Sequence, residues 1–170
     1  MIIVVFGLPG SGKSYFAARL AKNLNADYVN SDGLRKEMFA VRTYSEQEKA
    51  AVYKAMLQRM KEALKQSRSI VLDATFHIIE TRNLFTREAK AKDRICFIEI
   101  TTNENLARQR LNKERAYSEA DFEVYQLTRR HWEPLKEAHL ILESTDENIE
   151  SMLKKAAEYL NSKDDPATNK

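Results

Sequence analysis

The stretch IIVVFGLPGSGKSYFAARL, residues 2–20, narrows the possible folds more than any other part of this chain. Ile2–Phe6 has the length and apolar character of a buried strand, and the pattern of a buried helix begins soon after it. Between the two, Gly7, Gly12, Lys13 and Ser14 satisfy G-x-x-x-x-G-K-[ST], in the strand-then-helix setting that gives this pattern its meaning. Glycine at 7, 10 and 12 permits backbone angles that a side chain forbids and lets the chain approach an anion closely. The amides of Gly10, Ser11, Gly12, Lys13, Ser14 and Tyr15 can then converge on phosphate oxygens at the positive end of the helix. In that reading Lys13 reaches the β- and γ-phosphates of a nucleoside triphosphate, and the Ser14 hydroxyl ligates Mg²⁺.

The remaining sequence supplies a sheet to stand behind the loop. Five short apolar runs, Ile2–Phe6, Asp27–Asn30, Ser69–Asp73, Arg94–Ile100 and His139–Leu142, alternate with longer helical patterns, which predicts an α/β fold on a parallel sheet. In YSEQEKAAVYKAMLQRMKEALKQS, Ser45 and Glu48 form a capping box, and Tyr53, Leu57, Met60 and Leu64 recur at helical spacing. A closing helix carries Ile149, Met152, Leu153, Ala156, Ala157 and Leu160 on one face. The NSKDDPATNK that follows has no periodicity, so the expectation is one domain over residues 1–162 and a disordered tail over 163–170.

Composition trims the function classes. No apolar run approaches the roughly 20 residues of a membrane helix, and Ile2–Phe6 is too short for a signal-peptide core, so no membrane partner is expected. The single cysteine, Cys96, excludes an internal disulfide and fits a reducing cytoplasm; within ICFIEI it reads as a small buried hydrophobe. A net charge of +3 permits a polyanionic partner without demanding one.

What else is present decides the phosphate chemistry. A GTPase would need a D-x-x-G switch and an N-K-x-D run; Asp73 is followed by ATF, and Asn112-Lys113-Glu114-Arg115 lacks the aspartate. A small kinase fits, and it needs a group to orient and deprotonate the attacking hydroxyl. Ligands of open α/β sheets bind beyond the carboxyl ends of the strands, and the second strand runs into YVNSDGLRKEMF. Asp32 would position the hydroxyl and accept its proton. Arg35, one turn on if a helix begins near Gly33, would hold an acceptor phosphate or steady charge on the transferring group. The plainer alternative is that Asp32 caps the helix and Arg35 is a solvated surface charge.

Taken together, GLPGSGKS, VNSDGLRKEMF, SIVLDATF and ARQRLNKER resemble the P-loop kinases similar to polynucleotide 5′-hydroxyl kinase, a group that includes zeta-toxin-like and other small-acceptor kinases. The resemblance spans about residues 1–145. It implies a three-layer P-loop NTPase fold with a five-stranded parallel sheet of order 2-3-1-4-5, ATP with Mg²⁺ as donor, and an Asp-x-x-Arg pair serving the acceptor, which falls on Asp32 and Arg35. It also implies an arginine-rich lid, about residues 103–118. There Arg110 and Arg115 match an R-x-x-x-x-R pattern, with Arg115 the stronger candidate for neutralising the transferred phosphoryl.

Asp73, ending the third strand, can hold a Mg²⁺-bound water; the alternatives are a role on the acceptor side or a cap on the next turn. Phe76 reads as a buried aromatic, His77 offers no ligand spacing, and Trp132 with Pro134 closes a helix without ties to chemistry.

The expected reaction is transfer of the γ-phosphate of ATP to a hydroxyl acceptor. The favoured acceptor is the 5′-hydroxyl of a nucleic acid, and a small metabolite such as a nucleoside or sugar is the second candidate. A nucleotide-dependent switch, or one subunit of a larger complex, is the reading from a different class. The sequence assigns no oligomeric state.

Overall fold

A computed structural model describes residues 1–89, 93–113 and 121–162. In chain order the elements are β1 (Ile2–Phe6), α1 (Lys13–Asn23), β2 (Asp27–Asn30), α2 (Ser31–Met38), α3 (Glu46–Lys65), β3 (Ile70–Asp73), α4 (Ile79–Glu88), β4 (Ile95–Thr101), α5 (Glu104–Leu111), α6 (Phe122–Arg130), β5 (Leu140–Glu143) and α7 (Ile149–Ser162). The five strands form one sheet of order β2-β3-β1-β4-β5, parallel throughout. This is the order the family resemblance implied. Strand limits differ from the sequence reading by one residue at half of the ends: Ser69, Arg94 and His139 stand outside, while Thr101 and Glu143 are included.

Alternation along β1 sends its side chains into two separate cores. Ile3 and Val5 join Val71, Cys96, Ile98, Ile100 and Leu142 beneath Phe16 and Leu20 of α1 and Met152, Leu153, Ala156 and Leu160 of α7. Ile2, Val4 and Phe6 join Ile70 and Leu72 beneath Val52, Met56 and Met60 of α3 and Phe85 of α4. Because both faces of β1 are covered, all five of its residues are buried, and its sequence shows no period of two. Burial corrects two helical faces. Ala157 of α7 is exposed, and on α3 the buried line is Val52, Met56, Leu57, Met60 and Ala63, with Tyr53 and Leu64 only half-buried at its flanks.

Phe76 is fully buried in an aromatic group, 5.3 Å from the Tyr53 ring and 5.2 Å from Phe85. Arg82, 1% exposed, donates from Nη1 to the Phe76 carbonyl and from Nη2 to the Glu133 carbonyl, each at 2.5 Å. It thereby ties the segment after β3 to the segment after α6, where Trp132 stacks on Phe6 at 6.0 Å. Cys96 is buried and free. Among the described residues no helix is long and apolar enough to cross a membrane.

Candidate active site

The glycine-rich loop leaves β1 at its carboxyl end and turns directly into α1. Gly7, Gly10 and Gly12 all have positive φ, at 153°, 79° and 88°. Gly12 occupies the N-cap position of α1 in the left-handed conformation, and no side chain caps that helix. Its first-turn amides are therefore left for an external anion, and the helix dipole adds to their attraction. Ser11 is buried with a hydroxyl that has no hydrogen-bond partner, whereas Tyr15 is exposed and carries the Arg19 guanidinium 3.4 Å from its ring centroid.

Asp73 is the electrostatic centre beside this loop. It is wholly buried, and β3 lies next to both β1 and β2. Its Oδ2 accepts from the Tyr28 hydroxyl at 2.8 Å and from Asn30 Nδ2 at 2.5 Å. Asn30 Nδ2 also donates to Ser14 Oγ at 3.3 Å. Burial pushes the Asp73 carboxyl above its ordinary value, and the Lys13 charge with hydrogen bonds from Ser14, Tyr28 and Asn30 offsets only part of that. Burial likewise raises the Tyr28 phenol, reinforced by Asp73, so it stays a neutral donor. The other carboxylate oxygen, Asp73 Oδ1, is buried without a partner. A buried oxygen without a partner, next to Ser14 and Lys13, is costly and suits a hard, hydrated divalent cation. The residues present fit Mg²⁺.

The acceptor-side pair sits differently from its sequence reading. Helix α2 begins at Ser31 rather than near Gly33, and its cap is Asn30, whose Oδ1 accepts from the Gly33 amide at 2.8 Å. Asp32 is thus released from capping and lies half-buried in the first turn. Arg35 is buried, with Nε 2.9 Å from Oε1 of Glu48 on α3 and its guanidinium 4.6 Å above the Tyr44 ring.

Glu48 Oε2 accepts from the Thr43 amide at 2.7 Å, the Thr43 hydroxyl at 2.9 Å and the Tyr44 amide at 3.2 Å. The capping box is therefore half formed. Ser45 caps α3 through the Glu48 amide, but the Glu48 carboxylate reaches past Ser45 to anchor the α2–α3 connection on Arg35. Burial raises the Glu48 carboxyl, yet the Thr43 hydrogen bonds, the Arg35 charge and the Tyr44 amide outweigh it and hold it low. The Tyr53 phenol, near Arg35, Asp32 and Asp73, is pushed up to about 12, mainly by burial.

Arg110, in the last turn of α5, is bonded to the phosphate loop. Nη1 donates to the Ser11 carbonyl at 3.2 Å and Ser144 Oγ at 3.1 Å, and Nη2 to Asp146 Oδ1 at 2.9 Å. A Cβ on Gly12 would stand 2.8 Å from Ser144 Oγ and 3.1 Å from Arg110 Nη1, so glycine is also required there for Arg110 to close on the loop. Arg115 and most of the second half of the expected lid lie outside the described residues.

Tyr28, Asn30, Glu48, Ser144 and Asp146 are the site residues that sequence reasoning did not single out for chemistry. Of these only Asn30, directly before Ser31-Asp32 at a strand end, carried a readable signal.

Residues 2–138 match the family described as an AAA domain, AAA_33. The shikimate kinase of Corynebacterium glutamicum is 32% identical over 124 residues, which is 70% of each protein. A sugar kinase from Janibacter sp. superimposes with a TM-score of 0.73 at 15% identity, covering 94% of each chain. The APS kinase of Mycobacterium tuberculosis, solved with AMPPNP and APS, superimposes with a TM-score of 0.70 at 20% identity over 94% of this chain and 96% of the other. With the sheet order and the loop geometry, these likenesses show that the chain belongs to the AAA_33 family and is a P-loop kinase, an ATP-dependent phosphotransferase acting on a hydroxyl.

Proposed function

We propose that the acceptor is a small hydroxyl-bearing metabolite, in preference to the 5′-hydroxyl of a polynucleotide. The observation that carries this, among the described residues, is the pairing of three arginines near the site with carboxylates. Arg35 is buried against Glu48, Arg110 is paired with Asp146, and Arg129 with Glu104. A polynucleotide backbone is held by cations free to replace its counterions. Paired arginines in a partly buried site suit a compact ligand better, and the relatives named for shikimate, a sugar and APS point the same way.

In this reading the loop amides and Lys13 hold the triphosphate of ATP. Ser14 and Asp73 would hold Mg²⁺, which would supply positive charge to the triphosphate. Asp32 orients the acceptor hydroxyl and takes its proton as the oxygen attacks the γ-phosphorus, whose bond to the bridging oxygen breaks so that ADP leaves. Arg35, fixed through Nε, presents its remaining nitrogens to the acceptor. Arg110 holds the phosphate loop through the Ser11 carbonyl, and Arg115 is the candidate cation for the transferring phosphoryl group.

The test is transfer of label from γ-labelled ATP, with Mg²⁺, to a panel of small polyols, hydroxy acids and nucleosides beside 5′-hydroxyl RNA and DNA oligonucleotides. Asp32→Ala serves as the control. Label in a small acceptor, lost in Asp32→Ala while ATP still binds, is the expected result. Label in oligonucleotides alone would overturn the proposal and restore the polynucleotide reading.

A further inference from the structure

β2 ends at Asn30, whose register partner on β3 is Asp73. Both ends of its side-chain amide are engaged. Oδ1 accepts from the Gly33 amide and caps α2, the helix that carries Asp32 and Arg35. Nδ2 donates to Asp73 Oδ2 and to Ser14 Oγ, the two groups assigned to the metal. One side chain therefore spans the nucleotide side and the acceptor side of the site.

The choice of residue is informative. A cap needs only an acceptor, and Asn, Asp and Ser provide it about equally well. The contact with Asp73 needs a donor with reach. Aspartate would cap the helix but set a second carboxylate against a buried one, and serine would cap it but fall short of Asp73. Among good capping residues, asparagine alone accepts with one atom and donates with the other.

We propose that Asn30 is a positioning residue that locks the helix of Asp32 to the Ser14–Asp73 pair, fixing the distance between hydroxyl activation and the phosphate end of the nucleotide. The proposal rests on the kinase reading of the site. Phosphoryl transfer depends almost wholly on such positioning, and a displacement of about 1 Å costs on the order of 100-fold in rate.

Three variants test it. Asn30→Ser keeps a cap without the long donor, Asn30→Ala removes both, and Asn30→Asp keeps the cap and adds a carboxylate. In EDTA, Asn30→Ser is expected to melt about 3–12 °C below wild type, because the buried Asp73 carboxylate loses a donor, and Asn30→Ala about 2–4 °C lower again for the lost cap. Asn30→Asp should melt below Asn30→Ser in EDTA and recover when Mg²⁺ alone is added. Identical melting of the Ser and Asp variants would overturn the Asn30–Asp73 contact.

In the transfer assay, Asn30→Ser should lower kcat about 10- to 100-fold with acceptor KM and metal-free ATP affinity within about threefold of wild type. A folded Asn30→Ser with wild-type kcat would reduce Asn30 to a helix cap and overturn the proposal. If wild type transfers no phosphate to any acceptor, the kinase reading fails instead, and the EDTA and Mg²⁺ melting comparison still decides the contact.

Discussion

Gly10 and Gly33 accept the same substitution with opposite expected outcomes. At Gly10, φ is +79°, and an alanine in that left-handed conformation costs about 1–2 kcal/mol. Its Cβ would stand 2.9 Å from the Ala107 carbonyl oxygen and 3.0 Å from Leu111 Cγ. The leucine can turn aside, but Ala107 is backbone inside α5, which adds about 1–2 kcal/mol of overpacking. The sum, about 2–4 kcal/mol, corresponds to a fall in Tm of roughly 5–15 °C for a chain of this length.

Gly33 lies within α2 at an ordinary φ, and a Cβ there would meet nothing nearer than Asn30 Oδ1 at 3.6 Å. Replacing a helical glycine that has room for a methyl gains about 0.5–1 kcal/mol, or roughly 1–4 °C. Urea and thermal unfolding of both variants, in EDTA and without nucleotide so that ligand binding does not contribute, measure the two signs. Gly10→Ala as stable as wild type, or Gly33→Ala less stable than it, would refute the reasoning that local φ and Cβ neighbours set the outcome.

Lys13→Ala should abolish transfer by removing the fixed cation at the γ-phosphate; substantial label transfer by that variant would remove Lys13 from its role. Asp73→Asn should melt above wild type in EDTA at neutral pH, because burial disfavours the charged carboxylate when no cation is bound. The same variant should lose the Mg²⁺-dependent part of ATP binding, measured by titration with and without the metal. Glu48→Gln addresses the depressed carboxyl. A group whose pKa is lowered by folding contributes stability above its unfolded value and loses it as pH falls through the folded one. Wild type should therefore melt progressively earlier as pH drops below the ordinary value of 4.5, and Glu48→Gln should melt lower at neutral pH and lack that acid-side increment in pH scans of Tm.

The fold was legible where one residue type has one physical use. A left-handed turn before a helix demands glycine, a strand covered on both faces reads as a continuous apolar run, and so β1, the phosphate loop and α1 could be placed from the sequence. The edge strands were legible only as positions in a repeating pattern, since DYVN and LILE are half-exposed.

The candidate site divides along the same line. Lys13 and Ser14 were legible from the loop that holds them, and Asp73 from its place at a strand end. Asn30, Glu48 and Arg110 take their meaning from partners across the fold: Asn30 from Asp73, 43 residues on, and Arg110 from Asp146, 36 residues on. Glu48 shows the limit most clearly. At three residues past Ser45 it reads as a reciprocal cap, yet Tyr44, at φ +54°, belongs to a connection folded back onto the helix start, bringing the Thr43 and Tyr44 amides and the Arg35 guanidinium to the carboxylate. The carboxylate thus takes its hydrogen bonds from the folded-back connection and its charge partner from Arg35, in place of the single Ser45 amide. The contacts between α2, α3 and the connection that joins them, where Asp32 and Arg35 stand, are of this kind. This is why the phosphate donor could be read from eight consecutive residues and the acceptor could not.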